Sequence, residues 1–178
     1  MAFRGMIHEK LDIKILILYI LRRLPGIVDG DTLATLCQCD EGFTYFDYIE
    51  CLYELVDAGN IDEPDKDHFR ITEKGARSVD EVGNSIPNSV RKKADKLLAP
   101  VALSLERASM IKTSHERTRN GMTVTLAMSD GKGEVIRMSL LAGNENTAEL
   151  MEKNFRSHAE EYFFKIVDMM TEKEDKKK

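Results

Sequence analysis

The chain has 178 residues, 42% of them hydrophobic and 32% charged, the balance of a globular protein that buries a core as one medium domain or two small ones. Its most apolar run, Ile15 to Leu21, falls far short of the roughly 20 residues that cross a bilayer, and no signal-peptide cleavage pattern follows it, so neither a membrane span nor a secreted protein is expected. The net charge of −5 hides an asymmetry: residues 1–86 hold nine Lys/Arg against seventeen Asp/Glu, and residues 87–178 hold seventeen against fourteen.

The first element is Asp12 to Leu24, DIKILILYILRRL, apolar nearly all round and therefore a central buried helix, with Asp12 as cap and Pro25-Gly26 as stop. After the turn Val28-Asp29-Gly30, Asp31 caps a short helix from Thr32 to about Gln38 with Leu33 and Leu36 inward. A third helix starts at Thr44 or Asp47, both of which have capping form, and runs to Ala58. Phe46, Ile49, Leu52, Leu55 and Val56 share one face, and Gly59-Asn60 ends the helix in a left-handed cap.

Ile61-Asp62 and Phe69-Arg70-Ile71 then read as two short strands around a polar tip at Pro64 to Asp67, and Thr72 caps a following helix. Three helices and a hairpin in this order predict a winged helix-turn-helix over residues 8–86, with the hairpin as wing. Ser89 to Leu98 is a short basic helix ended by Ala99-Pro100.

Beyond it the apolar period changes to two. Val101, Leu103 and Leu105, then Met122, Val124, Leu126 and Met128, then Ile136, Met138 and Leu140 alternate with polar or small residues. Turns at Arg119-Asn120-Gly121 and Asp130 to Gly133 complete an antiparallel three-stranded meander. A long helix opening at Asn146 carries Ala148, Met151, Phe155, Ala159, Tyr162, Ile166 and Met170 in one stripe and covers the sheet. The expected fold class is α+β: the winged helix, a second domain of connecting helix, meander and C-terminal helix over 87–171, and a charged tail at 172–178.

Lys14 to Leu21, Leu52 to Val56, Ile71-Thr72-Glu73-Lys74-Gly75, the break at Ile86-Pro87, Asn154-Phe155-Arg156 and Lys165-Ile166-Val167 resemble, in order and spacing, a bacterial winged-helix family of unknown function (DUF4364-like), related in its N-terminal half to PadR- and MarR-type regulators. Phe155 stands where such proteins often have Trp. The resemblance implies a winged-helix fold and a regulatory role, and brings no ligand or DNA site.

If the chain binds double-stranded DNA, the candidate contacts are Thr44, Tyr45 and Tyr48 on the third helix, Lys66, His68, Arg70 and Lys74 on and after the wing, and Arg91 and Lys93 on the basic helix. Phosphate contacts need cations, yet no Lys or Arg occurs from Leu24 to Asp65, and Asp47, Glu50, Glu54 and Asp57 are expected on the outer side of the third helix. A module that meets a protein partner through that acidic helix is therefore the alternative to a DNA-binding transcription regulator.

A three-stranded sheet with one helix has edges to protect and little core, so a homodimer is expected through Met122, Val124, Met138, Phe155, Tyr162 and Phe163. Cys37, Cys39 and Cys51, an odd number with scattered histidines, read as buried free thiols in a reducing cytoplasm, not as metal ligands. His115-Glu116 has no nucleophile or oxyanion donor nearby in sequence, and neither an enzyme nor a cofactor is expected.

Overall fold

The computed structural model describes residues 5–172; the lysine-rich tail from 173 lies outside them. The chain divides into two compact units, at Leu105/Glu106.

The first unit is built around α1 (Lys10–Leu21), which buries eight side chains from Ile13 to Leu21. Glu9, three residues before the expected cap Asp12, is its N-cap. β1 (Val28–Asp29) leads into α2 (Gly30–Cys37), where Asp29 and not Asp31 is the cap, accepting the Thr32 amide at 2.9 Å. For α3 (Tyr45–Asp57) both proposed starts take part: the Thr44 hydroxyl accepts the Asp47 amide, and the Asp47 carboxylate accepts the Thr44 amide. Gly59, at φ 71°, closes α3; its amide donates to Val56 O and the Asn60 amide to Leu55 O.

β2 (Ile61–Asp65) and β3 (His68–Ile71) form the hairpin, and β3 also pairs with β1, giving an antiparallel sheet in the order β1-β3-β2. Thr72 caps α4 (Glu73–Val82) by accepting the Gly75 amide, while its hydroxyl donates to Gly59 O. A Cβ at position 75 would collide with Asn60 O, which is why Gly follows three residues after the cap.

After a short 3-10 turn (Gly83–Ser85), α5 runs from Asn88 to Ser109. This corrects two expectations. Ala99-Pro100 does not end the helix, and Val101, Leu103 and Leu105 are not a strand. Val90, Ala94, Leu98, Val101 and Leu105 recur at three- and four-residue steps and pack on the first core, and that continuous seam outweighs the one backbone hydrogen bond lost at Pro100. The boundary between units consequently falls later than residue 87.

The second unit contains β4 (Ile111–Thr118), β5 (Gly121–Ser129) and β6 (Glu134–Ala142), antiparallel in the order β4-β5-β6, and α6 (Glu145–Thr171) capped by Asn144. Its first strand is thus Ile111–Thr118. Met122, Val124, Leu126 and Met128 of β5 are buried with Ala148, Phe155 and Ala159 of α6. The architecture is mixed helix and sheet, with a meander and a long C-terminal helix.

Candidate nucleic-acid interface

α3 is amphipathic in an unexpected register. Tyr48, Cys51, Leu52 and Leu55 are its buried side chains, while Phe46 is 83% exposed. Tyr45 and Tyr53 are also exposed, so the outward face at the start and middle of α3 is aromatic. Tyr45 packs edge-on to Phe46 and against Tyr48, with ring centroids 6.4 and 5.9 Å away.

The carboxylates of α3 are largely engaged within the fold. Asp47 is tied into the cap with Thr44, whose hydroxyl lies 2.7 Å from its Oδ2. Glu50 pairs with Lys10 of α1, and Glu54 Oε2 lies 2.5 Å from Lys14 Nζ. The Lys14 hydrogen bond holds the Glu54 carboxyl below the usual range. The four acids of α3 do stay at the surface, but two of them are paired: Glu50 and Glu54 meet Lys10 and Lys14 of α1, whereas Asp47 and Asp57 have no ion-pair partner among the described residues.

Tyr48 leaves the set of candidate contacts. It is 2% exposed, its hydroxyl has no partner among the described residues, and burial pushes its phenol pKa up. Beside it, a small cavity of about 20 Å³ lies between α2 and the start of α3. Thr44 is exposed but bonded to Asp47, and Tyr45 is free to meet a ligand.

In the β2–β3 hairpin, Lys66 and Asp67 form the tip, with Asp67 at φ 60°. The Asp67 carbonyl accepts the Gly30 amide at 2.9 Å, fastening the tip to the start of α2. A Cβ on Gly30 would clash with the Asp67 carboxylate. Phe69 of β3 is buried and meets Tyr53 of α3 edge-on at 6.4 Å, so hairpin and helix share one packing contact. Lys66 and His68 are exposed at the tip, with His68 Nδ1 3.0 Å from Lys66 O.

Other predicted cations have internal work. Arg70 is bonded to Asp62 at 2.6 Å, and Lys74 Nζ donates to Ala58 O at 2.6 Å, capping the C-terminus of α3. Arg91 donates to Asn84 at 3.0 Å and its Nε is buried without a partner, while Lys93 is exposed. The fold thus brings Tyr45, Phe46, Tyr53 and the β2–β3 hairpin onto neighbouring elements of one unit. Phe46 was read from sequence as part of the inner face.

Two further polar centres escaped the sequence reading. Asp40, 4% exposed, accepts the amides of Met6, Ile7 and Gly42 and anchors the segment before α1. In the second unit Glu152, 7% exposed, takes His115 Nδ1 at 2.8 Å, Thr113 Oγ1 at 3.2 Å and Arg156 at 2.8 Å. His115 is thus partnered across the unit and not by Glu116. The three cysteines are free and buried. Burial raises the Cys37 thiol pKa, and burial with the Asp40 carboxylate raises Cys39 to about 11. Among the described residues no group of three His, Cys, Asp or Glu side chains is placed to hold a metal ion, and no helix is long and apolar enough to cross a membrane.

Of the expected dimer residues, Met122, Val124 and Phe155 are buried inside the second unit's own core and present no surface. Met138 and Tyr162 line an apolar groove, and Phe163 is half-buried beside the core.

No curated protein and no solved structure matches the chain. A family model described as a domain of unknown function, DUF4364, matches residues 13–170, which takes in both units and nearly all of the elements above, and the chain belongs to that family.

Proposed function

We propose that this protein is a winged-helix regulator that binds duplex DNA as a homodimer, with α3 toward the major groove and the β2–β3 wing on the backbone. The element order α1-β1-α2-α3-β2-β3, with the hairpin beside α3, is the order that recognition by a winged helix-turn-helix requires. The observation that carries the reading is the engagement of Glu50 and Glu54 by Lys10 and Lys14. The pairs offset two of the four carboxylates that would otherwise oppose phosphates, and Tyr45, Phe46 and Tyr53 stand exposed beside them. Tyr45 and Phe46 can meet thymine methyls and sugars, and at the wing tip Lys66 supplies a cation and His68 a hydrogen-bonding ring.

A second reading is favoured by Phe46. A phenylalanine 83% exposed between Tyr45 and Tyr53 is the kind of aromatic cluster that anchors protein interfaces. On that reading α3 docks a protein partner, and Asp57 of the same helix, unpaired among the described residues, favours a basic one.

Fluorescence anisotropy with a mixed-sequence duplex separates the two. DNA binding predicts retention at low salt and a linear fall of log affinity with log salt concentration. No retention at low salt removes the first reading and leaves the second.

A further inference from the structure

We infer that the C-terminal half of α6 is an interaction surface for a second copy of this chain, which lays its own α6 into the groove between β6 and α6. This names the surface behind the homodimer of the preceding proposal, and its evidence is independent of DNA.

α6 is 27 residues long, about 40 Å, whereas β5 and β6 have nine residues each, about 30 Å. The helix breaks at His158 (φ −136°, ψ 24°), and every fully buried side chain of α6 lies at or before Ala159. Residues 160–171 bury none, yet they remain strongly apolar: Phe164 is 61% exposed, Val167 38%, Met169 67% and Met170 82%. So many exposed Phe, Val and Met side chains on one short stretch are the kind of apolar surface that marks a contact site.

The same unit offers the cover. α6 lies over β4 and β5 more than over β6, so Leu140, which faces the helix side, is 42% exposed. A groove of about 340 Å³ runs between Met138 and Leu140 on one wall and Tyr162, Ile166 and Met169 on the other. Its only charged lining residue is Lys165, whose ammonium is held by Glu161. A polar ligand finds almost no partner there, while a stripe of Phe, Val and Met matches it.

Groove and overhang are continuous, because Tyr162, Ile166 and Met169 belong to both. A surface that carries both an apolar ridge and an apolar groove is self-complementary, which is the condition for a two-fold contact between identical chains. Eight of the ten groove-lining residues reach the surface, all but Leu126 and Phe155, and Phe163, Phe164, Val167 and Met170 extend them along the overhang, a continuous patch of twelve positions that makes a small interface beside the roughly 20 to 30 per side of a standard one. The need is intrinsic too: the unit's buried apolar cluster is only eight residues, from Met122 to Ala159, and a core that small is marginal alone.

Light scattering on the full chain at micromolar concentration tests this, with DNA retention measured separately so that the two proposals fail independently. The expected mass is twice the 20.2 kDa of one chain. Phe164→Glu and Leu140→Glu, both at exposed positions, are expected to raise the dimer dissociation constant at least about tenfold, and Leu103→Glu, exposed on α5 of the other unit, to leave it unchanged. Hydrogen exchange of the wild-type chain guards against misfolded variants: amides of residues 160–171 are expected to be protected and to lose protection on dilution. A monomeric wild type with fast exchange in 160–171 overturns the proposal. So does a dimer indifferent to Phe164→Glu and Leu140→Glu but broken by Leu103→Glu, or a monomer whose groove holds a co-purified small molecule.

Discussion

Lys14 Nζ lies 2.5 Å from Glu54 Oε2, so a cation of the first helix answers a carboxylate of the third across 40 residues of sequence. Lys10 does the same for Glu50 one turn away. The pairs link α3 to α1 and offset two of its four surface carboxylates. Lys14→Glu is expected to lower the urea midpoint by crowding three carboxylates together, and the charge-swapped double variant with Glu54→Lys to recover most of it. Because both partners are solvent-accessible, the difference between single and double variants should shrink in about 1 M NaCl. Equal loss in single and double variants would show that the pair is incidental.

Asp40 binds three backbone amides from a buried position. Asp40→Ala leaves them without an acceptor, and we expect a loss of about 3 kcal/mol in unfolding free energy, with Asp40→Asn losing less. A denaturation midpoint within error of the wild type would contradict this.

The Asp29 cap of α2 predicts an acid-sensitive contribution. The Thr32 amide holds the Asp29 carboxyl below its usual range. A depressed folded value means stability that is present in full above the unfolded pKa of about 3.9 and lost as pH falls through the folded one. Asp29→Ala should cost about 1 kcal/mol at pH 7, and the gap to wild type should close in strong acid. A gap that is constant with pH would place the cost elsewhere.

The buried thiols should be inert in the native state. With Cys39 raised to about 11 and Cys37 also raised by burial, little thiolate exists at neutral pH. A thiol reagent is expected to label Cys37 and Cys39 slowly until denaturant is added. Fast native labelling of either would reopen a redox role.

Local signals in the sequence were reliable where the physics is local. Thr72 before Gly75, the Gly59-Asn60 stop and the β5 and β6 alternation all act within a few residues of themselves. The α5 seam was hidden because Val101, Leu103 and Leu105 satisfy a period of two as well as one turn of helix, and Pro100 argued for a stop. Only packing of Val90, Ala94, Leu98, Val101 and Leu105 on the first core decides it. Phe46 was placed inward because it stands three residues before Ile49, but the buried stripe of α3 is centred on Tyr48, Cys51, Leu52 and Leu55. The α1–α3 ion pairs did leave a trace: Lys10 and Lys14 are four apart, as are Glu50 and Glu54, so each pair stands on one face of its helix. That the two faces meet is a tertiary fact. Asp40 and Glu152 likewise depend on partners more than 30 residues away.

Chemical-shift mapping of the full chain with a short duplex at low salt tests the DNA account most directly. The account predicts the largest changes at Tyr45, Phe46 and Tyr53 on α3 and at Lys66 and His68 on the wing tip, fading as salt is raised. Saturating duplex that leaves these residues unmoved, or moves only residues of the second unit, would contradict it.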